Sequence, residues 1–403
     1  MSVVFDRPYE FIPPYKRNLW PTLIQKLRLY DIHLRRKEGV VGYRCEGLEH
    51  FRKVVDDPDV GILLAPNHCR YADPLVLGWP AREVGTHLHA LASWHLFNKN
   101  AFETFAIRRM GAYTLNREAP DRKSLDASIE ILVEGDRPLI VFPEGATYRT
   151  NDVLKPLMDG TAFIARSAAR RAAKLDRRVV ILPAVMKYLC EDPVEPWATE
   201  QLDVMERRFG LHVRGDLPVV ERTIRMCDAA LTVKEFEHGL PCRDGTMPER
   251  RDRLMEHVLA RCEQILGIDP TDGDVGTRVS AIRAAIVNRY FADGVDDDTR
   301  RELKRLAAAA EDVLSARAFP AGYLSDGNAT DTRLVETIQR LQESLTGKAD
   351  NSMHLSVVIR FDEAIPVPAE KPPRGVRDPL LDELETSLRT MVDDMSALAR
   401  RIA

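Results

Sequence analysis

Between residues 40 and 190, short apolar runs alternate with helix-like stretches, and this alternation limits the possible folds more than any other feature. Runs at 40–45, 61–65, 87–92, 112–115, 138–142 and 179–185 have the length and composition of buried strands. Between them, 74–79, 94–108, 122–134 and 157–173 read as helices. Strands and helices in turn predict an α/β fold with layers: a mostly parallel sheet flanked by helices. In such sheets ligands gather beyond the carboxyl ends of the strands. Residues that directly follow a strand are therefore the first candidates for chemistry.

One such run is Ala65-Pro66-Asn67-His68-Cys69-Arg70-Tyr71-Ala72-Asp73-Pro74. An imidazole followed five residues later by a carboxylate can form a base and its orienter, the device that takes a proton from a hydroxyl. Asp73-Pro74 reads as an N-cap followed by Pro at the first helical position. That places His68 in the strand-to-helix turn, close to the carboxylate. With ten histidines in the chain, about one such pair arises by chance, so the pair alone decides nothing.

Three further blocks follow in order: Gly111-Ala112-Tyr113-Thr114-Leu115-Asn116-Arg117, Val141-Phe142-Pro143-Glu144-Gly145 and Val179-Val180-Ile181-Leu182-Pro183. Taken together the four blocks resemble the motifs of the glycerolipid acyltransferases, typified by the 1-acylglycerol-3-phosphate acyltransferases. The resemblance covers residues 40 to 190 and a C-terminal return. It implies transfer of a fatty acyl group from a thioester, acyl-CoA or acyl-carrier protein, to the hydroxyl of a lysophospholipid or other glycerolipid acceptor. His68 would be the general base and Asp73 its orienter. No cofactor is implied, because the thioester is itself a substrate. Arg117 is the candidate clamp for an acceptor phosphate, Glu144 and Gly145 help to bind the acceptor, and Asn67 tunes the turn. Leu182-Pro183 packs the acyl chain or sets a strand end. The sequence departs from the family after Gly145. Thr-Arg-Ser is common there, whereas this chain reads Ala146-Thr147-Tyr148-Arg149. Arg149 or Arg70 would have to supply the missing cation, which leaves the acceptor's phosphate open. The same chemistry on another lipid acceptor is one alternative. A catalytically idle, lipid-binding relative is another, against which the intact His-Asp pair speaks.

Beyond residue 188 the strand signal fades into helix-forming stretches at 199–209, 247–266, 299–316 and 332–345. A strand, Leu355-Ser356-Val357-Val358-Ile359-Arg360-Phe361, and a helix at 380–402 close the chain. Relatives carry such a strand soon after the fourth block. The expected division is therefore an N-terminal basic amphipathic segment at 1–39, an acyltransferase core at 40–194, a large helical insertion at 195–350 and a return to the core at 351–403. A separate C-terminal helical domain is the simpler alternative. Residues 364–377, rich in Pro and charge, read as a loop.

The segment from Lys16 to Lys37 carries Lys16, Arg17, Lys26, Arg28, Arg35, Arg36 and Lys37 against only Asp31. From Pro21 its apolar positions 23, 24, 27, 30 and 34 recur at helical spacing, as in a helix lying on an anionic membrane surface. A core-packing helix with a solvated face fits the pattern as well. The first eight residues lack the basic start and apolar core of a signal peptide, and no apolar run spans a bilayer. These points suggest a cytoplasmic protein, peripheral on the cytoplasmic face of the membrane. The net charge of -4 gives no reason to expect nucleic-acid binding. Six cysteines without CxxC spacing read as reduced thiols, Cys69 among them as a small buried thiol. His87, His89 and His95 lack the carboxylate or thiolate that would complete a metal site, so no metal is expected. The acidic run 293–298 lacks calcium-loop spacing and reads as a helix start.

Overall fold

In a computed structural model the chain is described at every position except 1, 2, 4, 99, 242–243, 270–272, 326, 371–375 and 403. Cys242 and the centre of the 364–377 loop thus lie outside the described residues. Eight strands form one sheet: β1 (Val40–Glu46), β2 (Val60–Pro66), β3 (His89–Ser93), β4 (Ala112–Leu115), β5 (Leu139–Ile140), β6 (Arg178–Cys190), β7 (Leu355–Phe361) and β8 (Ile365–Pro366). Their order is β1-β7-β6-β2-β5-β3-β4, with β8 beside β6. Neighbours are parallel except where β7 and β8 meet β6. The predicted α/β layering with a mostly parallel sheet is present.

β2 shows how the layers form. All seven of its residues are buried, as a strand covered on both faces must be. Successive side chains alternate: Ile62 and Leu64 enter one apolar cluster, Leu63 and Ala65 the other. Gly61 lets the helix Arg122–Glu134 come close, since a Cβ there would lie 1.9 Å from the Leu132 carbonyl oxygen. Between Val194 and Thr346 the described regular elements are helices: Val194–Arg208, Val219–Glu237, Met247–Leu266, Val275–Tyr290, Asp297–Arg317 and Asp331–Thr346. Leu254, Val258, Ile282 and Leu306 belong to an apolar cluster of their own. The chain then re-enters the sheet as β7, between β1 and β6.

Several elements differ from expectation. β5 is only two residues long because the chain turns away before Pro143, which has no N–H for a ladder. β3 starts at His89, so His87 does not share its face. β6 runs on to Cys190 because β7 pairs with its second half, and the 364–377 loop begins with β8. The helices Leu48–Val55, Val219–Glu237 and Val275–Tyr290 were not anticipated. The last of them contains Gly276 and several β-branched residues, a poor intrinsic helix former held by packing. The N-terminal segment is two helices, Leu19–Lys26 and Leu29–Lys37, broken at Arg28 with φ 51°. Tyr30 and Leu34 are core residues, whereas Leu19, Leu23, Leu27, Leu29 and Ile32 are exposed.

Candidate active site

β2 and β5 are adjacent parallel strands, so the turns that leave their carboxyl ends meet. The first turn carries Asn67 and His68, the second Phe142, Pro143, Glu144 and Gly145. Asn67 fixes the start of its turn: its side-chain oxygen accepts the Met186 N–H (2.8 Å) and its amide donates to the Met186 carbonyl (3.1 Å). The buried side chain thereby extends the contact between β2 and β6 by one residue.

His68 Nδ1 lies 2.9 Å from Asp73 Oδ2. Asp73 is fully buried. Its Oδ2 also accepts the Arg70 N–H (2.9 Å), and its Oδ1 accepts the Tyr188 hydroxyl (2.6 Å). The carboxylate is thus an acceptor on all three sides, so His68 Nδ1 is the donor and Nε2 carries the free lone pair. Asp73 is not the N-cap that the sequence suggested. It is the first residue of the short helix Asp73–Val76, makes no cap bond, and Ala72 holds the cap position. Its oxygens point back along the turn to the imidazole.

His68 Nε2 is met by Thr147, whose Oγ1 lies 2.7 Å away. A hydroxyl, an imidazole and a buried carboxylate therefore stand in line. Phe142 stacks on the imidazole at a centroid distance of 3.8 Å and an interplanar angle of 17°, which restricts ring rotation. Glu144 joins the two turns. Its oxygens accept the backbone N–H groups of His68 (2.8 Å) and Lys155 (2.9 Å). Burial pushes its pKa up to about 7, against the pull of those two bonds. Gly145 has φ 70°, and a Cβ there would lie 2.1 Å from Met158 Sδ. Both the turn and the close approach call for glycine.

Arg117, which follows β4, donates to the Gly145 carbonyl. Burial, and then the neighbouring Arg283 charge, hold its pKa below the ordinary guanidinium value. The fold thus brings His68, Asp73, Glu144, Gly145 and Arg117 into one connected cluster, with Asn67 at its base. Arg149 faces elsewhere. It pairs with Glu343 (2.8 Å) and donates to Gln339, on the helix Asp331–Thr346. Arg70 donates to the same Gln339 oxygen (2.9 Å) and packs over the Tyr188 ring. Leu182 and Pro183 lie inside β6, paired with Leu64 and Ala65.

Cys69 sits between the Asn67 amide (3.0 Å) and the Met186 carbonyl, and burial raises its pKa well above 9.0. It is a packed thiol next to the imidazole in sequence, with different partners. His87, His89 and His95 have separate neighbours: His87 meets Thr22, His89 the Gly111 carbonyl and His95 Ser93. Asp296 in the acidic run caps the helix Asp297–Arg317 through the Thr299 N–H.

Sequence reading missed Thr147 and Tyr188. Thr147 had a signal, since it stands in the loop where the motif departs from pattern, but there it registers as a lost cation. Tyr188 looks like one more apolar strand residue until β6 is placed beside the His68 turn.

Residues 42–187 match the family model described as Acyltransferase. Over 147 residues the chain is 29% identical to a 1-acyl-sn-glycerol-3-phosphate acyltransferase of Streptococcus pneumoniae (strain ATCC BAA-255 / R6), covering 36% of this chain and 52% of that protein. The chain thus spans about half the length of this curated relative. The matched residues contain β2, the His68 turn, the Glu144 turn and most of β6, so the similarity to acyltransferases covers the segment that carries the candidate site.

Proposed function

We propose that the chain transfers a fatty acyl group from an acyl thioester, acyl-CoA or acyl-carrier protein, to the hydroxyl of a lysophosphatidate-like glycerolipid, with His68 as general base. A free alcohol is too weakly acidic to attack at neutral pH without a base in hydrogen-bond reach. His68 Nε2 offers its lone pair, and the buried Asp73 carboxylate fixes the tautomer and stabilises the imidazolium that forms. The acceptor oxygen attacks the thioester carbonyl, His68 takes its proton, and the same proton goes to the departing thiolate. The step uses the chain's own groups and the two substrates, without a cofactor. The observation that carries this reading is the hydroxyl already seated at Nε2. Thr147 Oγ1, 2.7 Å from the nitrogen, occupies the place an acceptor hydroxyl must take.

Replacing His68 with alanine should lower acceptor-dependent thiol release from acyl-CoA by about 100- to 10,000-fold, with the circular-dichroism spectrum of a folded chain retained. Turnover that survives the substitution would remove His68 from the chemistry.

A second reading keeps the reaction and changes the acceptor. It is favoured by position 147, which holds a neutral hydroxyl, and by the engagement of Arg149 with Glu343. A panel of phosphorylated and non-phosphorylated lipid alcohols decides between the two. A strong preference for an alcohol without phosphate would rule out the lysophosphatidate assignment.

For the lipid to reach His68, the protein must meet a membrane surface, and we place it peripherally on the cytoplasmic face. Among the described residues no helix is long and apolar enough to cross a bilayer. Leu19, Leu23 and Leu27 recur every fourth residue and are exposed, as are Phe102 and Phe105, whose ring meets Trp20. Lys26, Arg28, Arg35 and Arg36 are exposed on the same pair of helices. Apolar insertion and attraction to anionic headgroups fit that combination.

A further inference from the structure

A cavity of about 240 Å³ lies among the helices Val219–Glu237, Met247–Leu266, Asp297–Arg317 and Asp331–Thr346. Its walls are largely apolar, with Ile224, Cys227, Leu231, Leu254, Leu324 and Leu341 among them. Ile224, Cys227 and Leu231 recur at helical spacing on one face of Val219–Glu237, and all three are partly buried. Across the cavity Leu254 and Leu341 are buried. The stripe packs against two neighbouring apolar clusters and turns its remaining surface to the cavity.

Three cations line the same space: Lys234, Arg251 and Arg340. Lys234 pairs with Asp312 (2.9 Å) and Glu237 (2.8 Å), and Arg251 pairs with Asp252 (2.6 Å). Arg340 is different. It is 4% exposed, and its Nη atoms donate to the Ala318 carbonyl, the Arg149 carbonyl and Thr337 Oγ1. Its Nε has no partner, and no described carboxylate lies within ion-pair distance. The neighbouring acid, Glu336, is occupied by the Tyr323 hydroxyl and the Asn151 N–H. The guanidinium rests between the rings of Phe319 and Tyr323, each centroid 5.1 Å away. A buried cation without a paired acid is costly unless an anion completes it.

We propose that this cavity is a binding site for an aliphatic carboxylate, with the chain along Ile224, Cys227 and Leu231 and the head against Arg340. At roughly 30 Å³ per group the volume holds about eight of the twelve heavy atoms of a ten-carbon acid, and the rest of the chain extends from the open side of the cavity. An apolar wall with one desolvated cation selects for a ligand with that division of character. None of the lining residues belongs to the His68 or Glu144 turn, so the proposal does not depend on the assignment of His68.

The test is titration calorimetry of the full chain with sodium decanoate and with decan-1-ol. Decanoate should bind saturably, and decan-1-ol should bind roughly ten- to a hundred-fold more weakly, because it forgoes a charged hydrogen bond. Ala230→Trp, which places an indole in the cavity without touching the guanidinium, should weaken decanoate binding at least about ten-fold. It should leave acceptor-dependent thiol release unchanged. His68→Ala should bind decanoate like the unaltered chain. Absence of saturable binding, equal affinity for acid and alcohol, or undiminished binding by Ala230→Trp would each overturn the proposal. So would loss of binding in His68→Ala, since that would put the ligand at the His68 turn.

Discussion

Replacing Glu144 with glutamine removes a charge from a place that resists charge. The carboxylate accepts two backbone N–H groups, from His68 and Lys155, yet burial still raises its pKa from 4.5 to about 7. A carboxyl with a higher pKa in the fold than in the unfolded chain stabilises the fold fully below about pH 4.5. That contribution is lost as pH rises through about 7, because the native state must then give up a proton it holds more tightly. At roughly 1.4 kcal/mol per pH unit, the loss amounts to about 3 kcal/mol. Glutamine does not titrate, so its stability lacks this slope. It has one carbonyl oxygen for two N–H groups and turns its own amide toward the other, an unmet donor that costs about 1–3 kcal/mol. Glu144→Gln should therefore be less stable than the unaltered chain at pH 5 by about that amount. By pH 8 the difference should close or reverse. Urea unfolding followed by tryptophan fluorescence at pH 5, 6, 7 and 8 reads both curves. A stability difference that stays constant or widens with pH would refute the reasoning, because it would mean that the two N–H bonds outweigh burial.

Thr147→Val keeps the branched shape and removes the hydroxyl. If the threonine only holds the acceptor's place, freeing Nε2 is worth about 1 kcal/mol to the acceptor. KM for the acceptor should then fall about five-fold with kcat nearly unchanged, whereas a large drop in kcat would make the hydroxyl part of the chemistry. Cys69, buried and with a raised pKa, should resist iodoacetamide in the native protein at pH 8. Its modification together with loss of turnover would contradict its place as a packed thiol. Neutralising Lys26, Arg28, Arg35 and Arg36 together should reduce co-sedimentation with phosphatidylglycerol vesicles and make what remains insensitive to salt. Binding that does not change would detach the N-terminal helices from the membrane.

The strand pattern up to residue 190 was legible because period and length are local properties. The His68–Asp73 spacing is local too, but it stood out only beside the three blocks that follow it. Glu144, Gly145 and Arg117 were marked by the resemblance of their blocks to the acyltransferase motifs, each block lying just past a strand. What was hidden depends on distant chain segments. Arg149 meets Glu343 and Gln339, almost two hundred residues further on, and no spacing rule connects them. The N-terminal helix pattern continued through Arg28 without a Gly or Pro to mark the break.

Position 147 shows the difference between reading a motif and reading a fold. Set against the family's Thr-Arg-Ser, it loses a cation, and charge is all that such a comparison weighs there. In three dimensions the same residue is a hydroxyl 2.7 Å from the nitrogen that bears the lone pair. An incoming alcohol then does not enter an empty place. It exchanges one hydroxyl–imidazole hydrogen bond for another, so the exchange itself contributes little net affinity. Under the proposed reaction, acceptor choice comes from what surrounds the exchanged hydroxyl: the Arg117–Gly145 contact and the Phe142 ring. Under the lysophosphatidate reading, an acceptor that brings a phosphate to Arg117 would gain there what position 147 no longer offers, and an acceptor without one would lose little at the base. Measuring how acceptor preference shifts when Arg117 becomes glutamine therefore separates the two acceptor readings more directly than any change at position 149. Under the lysophosphatidate reading Arg117→Gln costs roughly ten-fold or more in kcat/KM for the phosphorylated acceptor alone. An equal loss for phosphorylated and neutral alcohols would show that Arg117 serves the turn at Gly145 rather than the substrate.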